Sequence, residues 1–186
     1  LRFRRQRQMC IRDRERPLVF GNNDTPGVML SSAAKEYLKV YGVLVGKKPL
    51  IFTNNDSGYE TAIEFKKNGV DPIILDTRKD PQSEIVDEAK NLGINIKFSN
   101  VVVAAQGYKK VKSADIAKIS DDKEQLGEIE NIECDCICVS GFWTPTIHLA
   151  SQSGNKTQFK EEIDAFIPGE SKQNEKTLGA ANGIYT

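Results

Sequence analysis

Three thiols, Cys134, Cys136 and Cys138, alternate in Cys134-Asp135-Cys136-Ile137-Cys138-Val139, and thiols so closely spaced invite metal or redox chemistry. Alternation along a strand points all three to one face, where a single strand cannot wrap them around a tetrahedral ion. His148 is the only imidazole and there is no Cys-x-x-Cys, so neither a zinc site nor dithiol exchange is expected. The thiols read as small buried hydrophobes in a reducing cytosol. His148 has no Ser-His-Asp or Cys-His spacing around it that would make it a general base. Trp143 reads as a core or interface aromatic before a cofactor platform. Asp121, Asp122, Glu124 and Glu128 read as a solvated loop before a metal site. No catalytic residue and no metal ligand is assigned.

The second candidate is a nucleotide turn. A dinucleotide-binding strand-to-helix turn needs Gly-x-Gly-x-x-Gly: one glycine for the tight turn, one for the approach of pyrophosphate, one for helix-on-strand packing. In Ile51-Phe52-Thr53-Asn54-Asn55-Asp56-Ser57-Gly58-Tyr59-Glu60 the corresponding positions are Thr53, Asn55 and Gly58, so only the packing glycine remains. Ser57 and Glu60 have the spacing of a capping box, which would satisfy with protein atoms the amides a phosphate would use. Asp56 would add like-charge repulsion. Asp76 stands about 20 residues on, in the usual ribose-hydroxyl position, although strand ends often carry a carboxylate without any ligand. The expectation is a Rossmann-like scaffold whose phosphate cradle the chain itself has filled.

The elements around these residues follow from periodicity. Met29, Ala33, Tyr37, Leu38 and Tyr41 recur at helical spacing up to a stop at Gly42. Strands at 49–53, 72–76 and 94–98 alternate with helices at 57–68 and 83–92 that end at Gly69 and Gly93, and such uninterrupted apolar strands indicate a parallel sheet covered on both faces. From Val101 the texture changes to two strands, 101–105 and 109–119, without a helix between them, an antiparallel β-meander. The polar run 120–131 reads as a loop and 133–140 as a buried strand. A short helix at 146–151, a strand near 164–167 and a helix start at Gly179-Ala180-Ala181-Asn182-Gly183 complete the pass.

The chain has 186 residues, 39% of them hydrophobic, and a formal net charge of zero, enough for one ordinary core and not for a multidomain enzyme. No apolar run reaches the roughly 18 to 20 residues needed to span a bilayer, and nothing in bulk composition asks for nucleic acid or membrane. Seven of the eight arginines lie in the first sixteen residues, whereas residues 17–186 carry 19 basic and 24 acidic groups. The segment Arg5-Gln6-Arg7-Gln8-Met9-Cys10-Ile11-Arg12-Asp13 resembles translated sequencing-adapter sequence. Residues 1–14 are therefore read as a non-native leader; the rival, a basic arm, has only Phe3 as an aromatic.

The body of the chain resembles the alpha subunit of heterotetrameric sarcosine oxidase. The matching stretches are Glu15-Arg16-Pro17-Leu18-Val19-Phe20, Asn23-Asp24-Thr25-Pro26-Gly27-Val28-Met29, Phe52-Thr53-Asn54-Asn55-Asp56-Ser57, Cys134-Asp135, Val139-Ser140-Gly141, Trp143, Pro145, His148-Leu149, Ser151-Gln152-Ser153-Gly154 and Gly179-Ala180-Ala181-Asn182-Gly183. They keep the family's order from 15 to 186. Phe142 stands where the family often has a second glycine, and Thr144 where it often has asparagine.

The resemblance implies an α/β, Rossmann-like FAD/NAD(P)-binding fold with a parallel sheet, helices on both faces and the meander. It implies that 15–48 ends a first nucleotide-binding half and adds a connecting helix. On the same grounds 49–140 is a second Rossmann-like domain of NAD(P)H type with the meander, and 141–186 is a truncated return to the first half. The glycine-rich NAD turn of that first half would lie upstream of Leu1. Gly179, Ala180, Ala181, Gly183 and Tyr185 are the implied cofactor neighbours, unless those small residues only permit close packing.

In such enzymes sarcosine is oxidised at FAD on the beta subunit, electrons pass through FMN to oxygen to give hydrogen peroxide, and the one-carbon unit reaches tetrahydrofolate on a later alpha-subunit domain. The implied partners are the beta, gamma and delta subunits, the implied location is cytoplasmic, and this stretch by itself is expected to be inactive. Two alternatives stand beside this reading: a non-catalytic scaffold or subunit-interaction module, and a subunit of a related flavin-dependent amine or opine dehydrogenase.

Overall fold

The computed structural model describes residues 13–120, 125–170 and 176–185. Residues 1–12, most of the segment expected to be a leader, and residues 121–124 lie outside them. The described residues form two compact units, one within Glu15–Phe142 and one that joins Asp13 and Arg14 to the residues from Trp143 onward.

A short strand, β1 (Asp13–Glu15), begins the described chain. In the larger unit β2 (Val28–Leu30) runs directly into α1 (Ser31–Tyr41). Glu15 serves this helix start from a distance: its Oε2 accepts the Ser32 N–H at 2.9 Å, a carboxylate at the positive end of the helix dipole. The helix stops at Gly42, which adopts φ 63°; the Gly42 N–H donates to Leu38 O and the Val43 N–H to Tyr37 O. The first of these is the 5→1 bond of an αL closure, and glycine is there because a side chain is disfavoured at that φ.

The chain then alternates: β3 (Pro49–Thr53), α2 (Ser57–Lys67), β4 (Ile73–Asp76), α3 (Glu84–Asn91), β5 (Asn95–Phe98). A meander follows, β6 (Asn100–Gln106), β7 (Ser113–Ile119) and β8 (Leu126–Glu133), and β9 (Cys136–Ser140) returns to the first sheet. That sheet is parallel with strand order β2-β9-β3-β4-β5; the meander is antiparallel with order β6-β7-β8. Asp135 fixes the entry to the sheet, its two carboxylate oxygens accepting the N–H groups of Lys47 and Lys48 at 2.8 Å each.

Every residue of β3 and β9 is buried, so their side chains feed two cores. Ile51, Ile74, Cys136 and Cys138 point into one, against Ala34 and Leu38 of α1, Tyr59, Ala62, Ile63 and Phe65 of α2, and Val86 and Ala89 of α3. Leu50, Phe52, Leu75, Ile137 and Val139 point into the other, against Val102, Ala105, Ala114 and Ile116 of the meander and Phe20. Each fully buried Leu, Ile, Val or Phe among them contributes about 1.5–3 kcal/mol.

The parallel sheet is covered on both faces as its apolar strands require, but the three helices of this unit share one face and the meander takes the other. The expectation of helices on both faces is corrected in that respect. Apolarity on both sides of a strand reports that the strand is covered, not what covers it.

Several strands were not read from the sequence, the three-residue β1 and β2 among them. β8 lies in the run read as a loop; it is a nearly fully exposed edge strand, with Ile129 64% exposed. It holds its place through backbone pairing to β7, and a register shift between Ala117 and Ile119 breaks any alternation. In the smaller unit β10 (Trp143–Pro145) and α4 (His148–Gln152) precede an antiparallel pair, β11 (Thr157–Lys160) with β12 (Ala165–Pro168). β10 and β11 were missed as well, and Phe159 of β11 meets Phe166 of β12 edge to face, ring centroids 5.2 Å apart. The helix expected to start at Gly179 is a single 3-10 turn, Gly179–Asn182, closed by Gly183 at φ 72°.

Candidate functional site

In an open parallel sheet a ligand is seated at the carboxyl ends of the strands where the strand order reverses. Here that point lies between β3, whose chain continues outward through β4 and β5, and β9 on its other side. The residues at the two strand ends are Thr53 to Ser57 and Ser140 to Phe142.

Asn55 ties the two ends together. Its Nδ2 donates to Ser140 O at 3.1 Å and to Ser140 Oγ at 3.3 Å, and its Oδ1 accepts the Ser57 N–H at 2.8 Å. The Asn55 N–H donates to Thr53 Oγ1 at 3.1 Å while that hydroxyl donates to Asn55 O at 2.8 Å. Asn54 adds an N–H to Ser140 O at 3.3 Å and Tyr59 an N–H to Asp56 O at 3.0 Å.

The turn is satisfied by the protein, yet not by the capping box expected from Ser57 and Glu60. The N-cap position is Asp56, not Ser57, and its side chain makes no cap bond; Glu60 is ion-paired to Lys35 of α1. Asn55, two residues before Ser57, reaches the helix amide first, as Asn side chains do in Asx turns.

Gly58 is the packing glycine. A Cβ there would lie 2.7 Å from Thr53 Cβ and 2.8 Å from Thr53 Oγ1, so α2 approaches β3 as closely as it does only because the position is bare.

Asp76, at the end of β4, is 0% exposed. Tyr59 Oη donates to its Oδ2 at 2.6 Å, the Arg78 N–H to Oδ1 at 2.9 Å, and Arg78 Nη2 to Oδ2 at 2.8 Å. The same guanidinium reaches Asp56 Oδ1 with Nη1 at 2.7 Å and lies over the Tyr59 ring, 5.9 Å from its centroid. Burial pushes the Tyr59 hydroxyl far above its usual range, and the hydrogen bond and charge of Asp76 add to the effect. Burial disfavours the charged Arg78, but its bonds to Asp76 and Asp56 outweigh that and hold it more firmly protonated. An Asp that binds ribose needs a free oxygen; both oxygens of Asp76 are engaged within the protein.

Arg78 and Tyr59 were not singled out from the sequence. Arg78 carried a usable signal, since an Asp followed two residues later by Arg at a strand end can close on itself as a turn. Tyr59 carried none.

The strand end of β9 is also covered. A Cβ on Gly141 would stand 2.7 Å from Arg16 O, and the Gly141 N–H donates to that oxygen at 2.7 Å while the Arg16 N–H donates to Phe142 O at 2.8 Å. Phe142 adopts φ 88°, a conformation suited to glycine.

The thiols do not share one face. Cys136 and Cys138 lie in the helix-side core with Sγ atoms 3.7 Å apart, whereas Cys134 packs into the meander-side core. The single-face expectation fails because regular pairing begins at Cys136, one residue after the Asp135 anchor. Burial and the neighbouring Cys136, Asp135 and Glu133 push the Cys134 thiol up to about 12. The hydrogen bond with Cys136, and then burial, raise the Cys138 thiol. Among the described residues no group of three or more His, Cys, Asp or Glu is arranged to hold a metal, and no helix is long and apolar enough to cross a membrane.

The other residues named in advance lie in the smaller unit. His148 is exposed at the start of α4. Gly179, Ala180, Ala181 and Gly183 share the 3-10 turn, whose ends are joined by the Ile184 N–H to Gly179 O at 3.2 Å. Gly179 is exposed at φ 64° with nothing within 4 Å of where a Cβ would be, which leaves room for close approach to the backbone. Gly183 is buried, and a Cβ there would meet Ile163 Cδ1 at 2.7 Å and Ile167 Cγ2 at 2.9 Å, so packing alone accounts for it. Tyr185 Oη donates to Trp143 O at 3.1 Å.

No family model matches the chain. It is similar to sarcosine oxidase subunit alpha of Corynebacterium sp. (strain P-1), with 34% identity over 173 residues, 92% of this chain and 18% of that subunit. It is likewise similar to the sarcosine oxidase subunit alpha of Rhizobium meliloti (strain 1021), 37% identical over 169 residues, 90% of this chain and 16% of that subunit. The chain thus spans less than a fifth of the curated relatives it matches. Thioredoxin reductase from T. acidophilum superimposes with a TM-score of 0.63 at 16% identity, covering 91% of this chain and 58% of that one. The fold is Rossmann-like, of the kind found in FAD/NAD(P)-binding oxidoreductases.

Proposed function

We propose that this chain is part of the alpha subunit of a flavin-linked amine oxidoreductase of the sarcosine oxidase type, which carries out the oxidative demethylation of sarcosine with release of hydrogen peroxide. One observation carries the reading: sequence agreement with sarcosine oxidase subunit alpha along nearly the whole chain, at a level where shared fold and shared chemistry usually go together. On this reading the protein is cytoplasmic and works with beta, gamma and delta subunits. FAD and FMN lie on, or are shared with, the beta subunit, and tetrahydrofolate is bound by a later domain. The flavins supply the redox chemistry when bound, and the protein supplies position and field.

The chain's own part is the NAD-facing turn Gly179, Ala180, Ala181, Gly183 and Tyr185. The open backbone at Gly179 favours a ligand at van der Waals distance. Ala180 and Ala181 keep that face low, Gly183 fixes the turn, and the hydrogen bond from Tyr185 to Trp143 orients the ring.

A second reading, a scaffold that holds subunits in place, is favoured by the engagement of Asp76 and Asp56 with Arg78, and the two are compatible for different parts of one protein. The deciding experiment replaces the matching stretch of a Corynebacterium sarcosine oxidase subunit alpha with residues 17–186, co-expresses the partner subunits and measures sarcosine-dependent hydrogen peroxide. Retained turnover is expected. A folded chimera that fails to assemble with those subunits, or that assembles and gives no hydrogen peroxide from sarcosine, would overturn the reading.

A further inference from the structure

We infer that the crevice between the carboxyl ends of β3 and β9, the place this fold reserves for a dinucleotide, is a permanent joint of the protein closed by Asn55 and Arg78, and that it takes no NAD(P)(H). The inference does not depend on which amine the whole enzyme oxidises.

A dinucleotide asks three things of such a crevice: free amides for the pyrophosphate, a bare backbone beneath it, and an unpaired carboxylate for the ribose. Each is already committed. The Asn55 N–H is held by Thr53 Oγ1 and the Ser57 N–H by Asn55 Oδ1. The position of the second fingerprint glycine carries the Asn55 side chain, which spans the crevice to Ser140. Asp76 is fully buried and holds Tyr59 and Arg78. On the far side the Arg16 and Pro17 backbone lies on Gly141.

Charge points the same way. Arg78 is the cation between Asp56 and Asp76, so the three side chains together are negative toward a diphosphate. Turning Arg78 to meet a phosphate would strip its charge partner from an Asp76 with no access to water. The cluster therefore replaces the ligand; it does not wait for one.

The test is a titration of the full 186-residue chain with NADH and with NADPH, followed by amide NMR. Chemical shifts of Asn54 to Tyr59 and of Arg78 are expected to stay unmoved up to millimolar nucleotide, while the Asn55 side-chain amide and the Arg78 Nε–H exchange slowly with solvent. Saturable shifts at Asn55 to Gly58 would overturn the inference, and so would exchange of those two side-chain groups at the rate of a free residue. Shifts confined to Gly179 to Tyr185 would place nucleotide at the other turn and uphold the closed joint.

Discussion

Arg78 folds back on the carboxylate two residues before it, holding Asp76 through Nε at 3.1 and 3.2 Å and through Nη2 at 2.8 Å, with its own main-chain N–H on Oδ1 at 2.9 Å. Four contacts from one residue to a carboxylate of 0% exposure make this pair the electrostatic centre of the strand ends. A buried ion pair adds little net stability over a well-packed apolar pair, but losing one partner is costly because the other remains buried and charged.

Arg78→Leu is accordingly expected to destabilise the protein by about 3 kcal/mol, the lower end for a broken buried pair, because Arg78 is itself 31% exposed. Urea unfolding measures it. Adding Asp76→Asn to that variant should restore part of the loss, whereas two independent effects would only sum.

Gly58→Ala puts a methyl 2.7 Å from Thr53 Cβ, and overpacking of this kind costs about 1–3 kcal/mol. Thermal unfolding of Gly58→Ala and Thr53→Gly, singly and together, checks whether Thr53 is the obstacle, since glycine there removes both Cβ and Oγ1. The double variant is expected to lose less than the sum.

Phe142 adopts φ 88°, where glycine would be expected. Phe142→Gly and Phe142→Ala both lose the ring, but only glycine is at ease at that φ. The glycine variant is expected to be the more stable by about 1 kcal/mol or more, and equal stabilities would contradict a strained backbone.

Cys134 is 2% exposed and its thiol is pushed up to about 12, above the roughly 8.5 of an unfolded cysteine. Between those values the unfolded chain has released the proton and the folded chain keeps it. Stability therefore falls as pH rises from about 8.5, by up to about 1.4 kcal/mol per unit for this thiol, and the loss levels off near the folded value of about 12. Cys134→Ala should make that part of the stability profile less steep from pH 8.5 to 10.5, leaving the share of the buried Cys138 thiol, read by denaturant unfolding at each pH.

Where a residue's role is decided locally, the sequence was readable. Pro49–Thr53 is apolar throughout and bounded by turn residues, and the missing glycines at Thr53 and Asn55 already spoke against a phosphate cradle. What escaped was decided by partners distant in sequence. β8 has no buried face to impose a pattern and exists because β7 offers it hydrogen bonds. Glu60 left the expected capping box because Lys35 stands across from it, 25 positions away in the chain. Arg78 looked like any surface cation until Asp56 and Tyr59 were seen to enclose it.

The position of β9 also fixes an order of assembly. It is the last strand of the larger unit to leave the ribosome, yet it lies second in its sheet, between β2 and β3. The stretch from β3 to β5 can pair as it emerges, neighbour to neighbour, but β2 has no strand to join until Cys136 to Ser140 has been made. The whole stretch of residues 54–135 must therefore be made with one side of β3 bare, and that exposed edge is where a chaperone, or another unfinished copy, would first take hold.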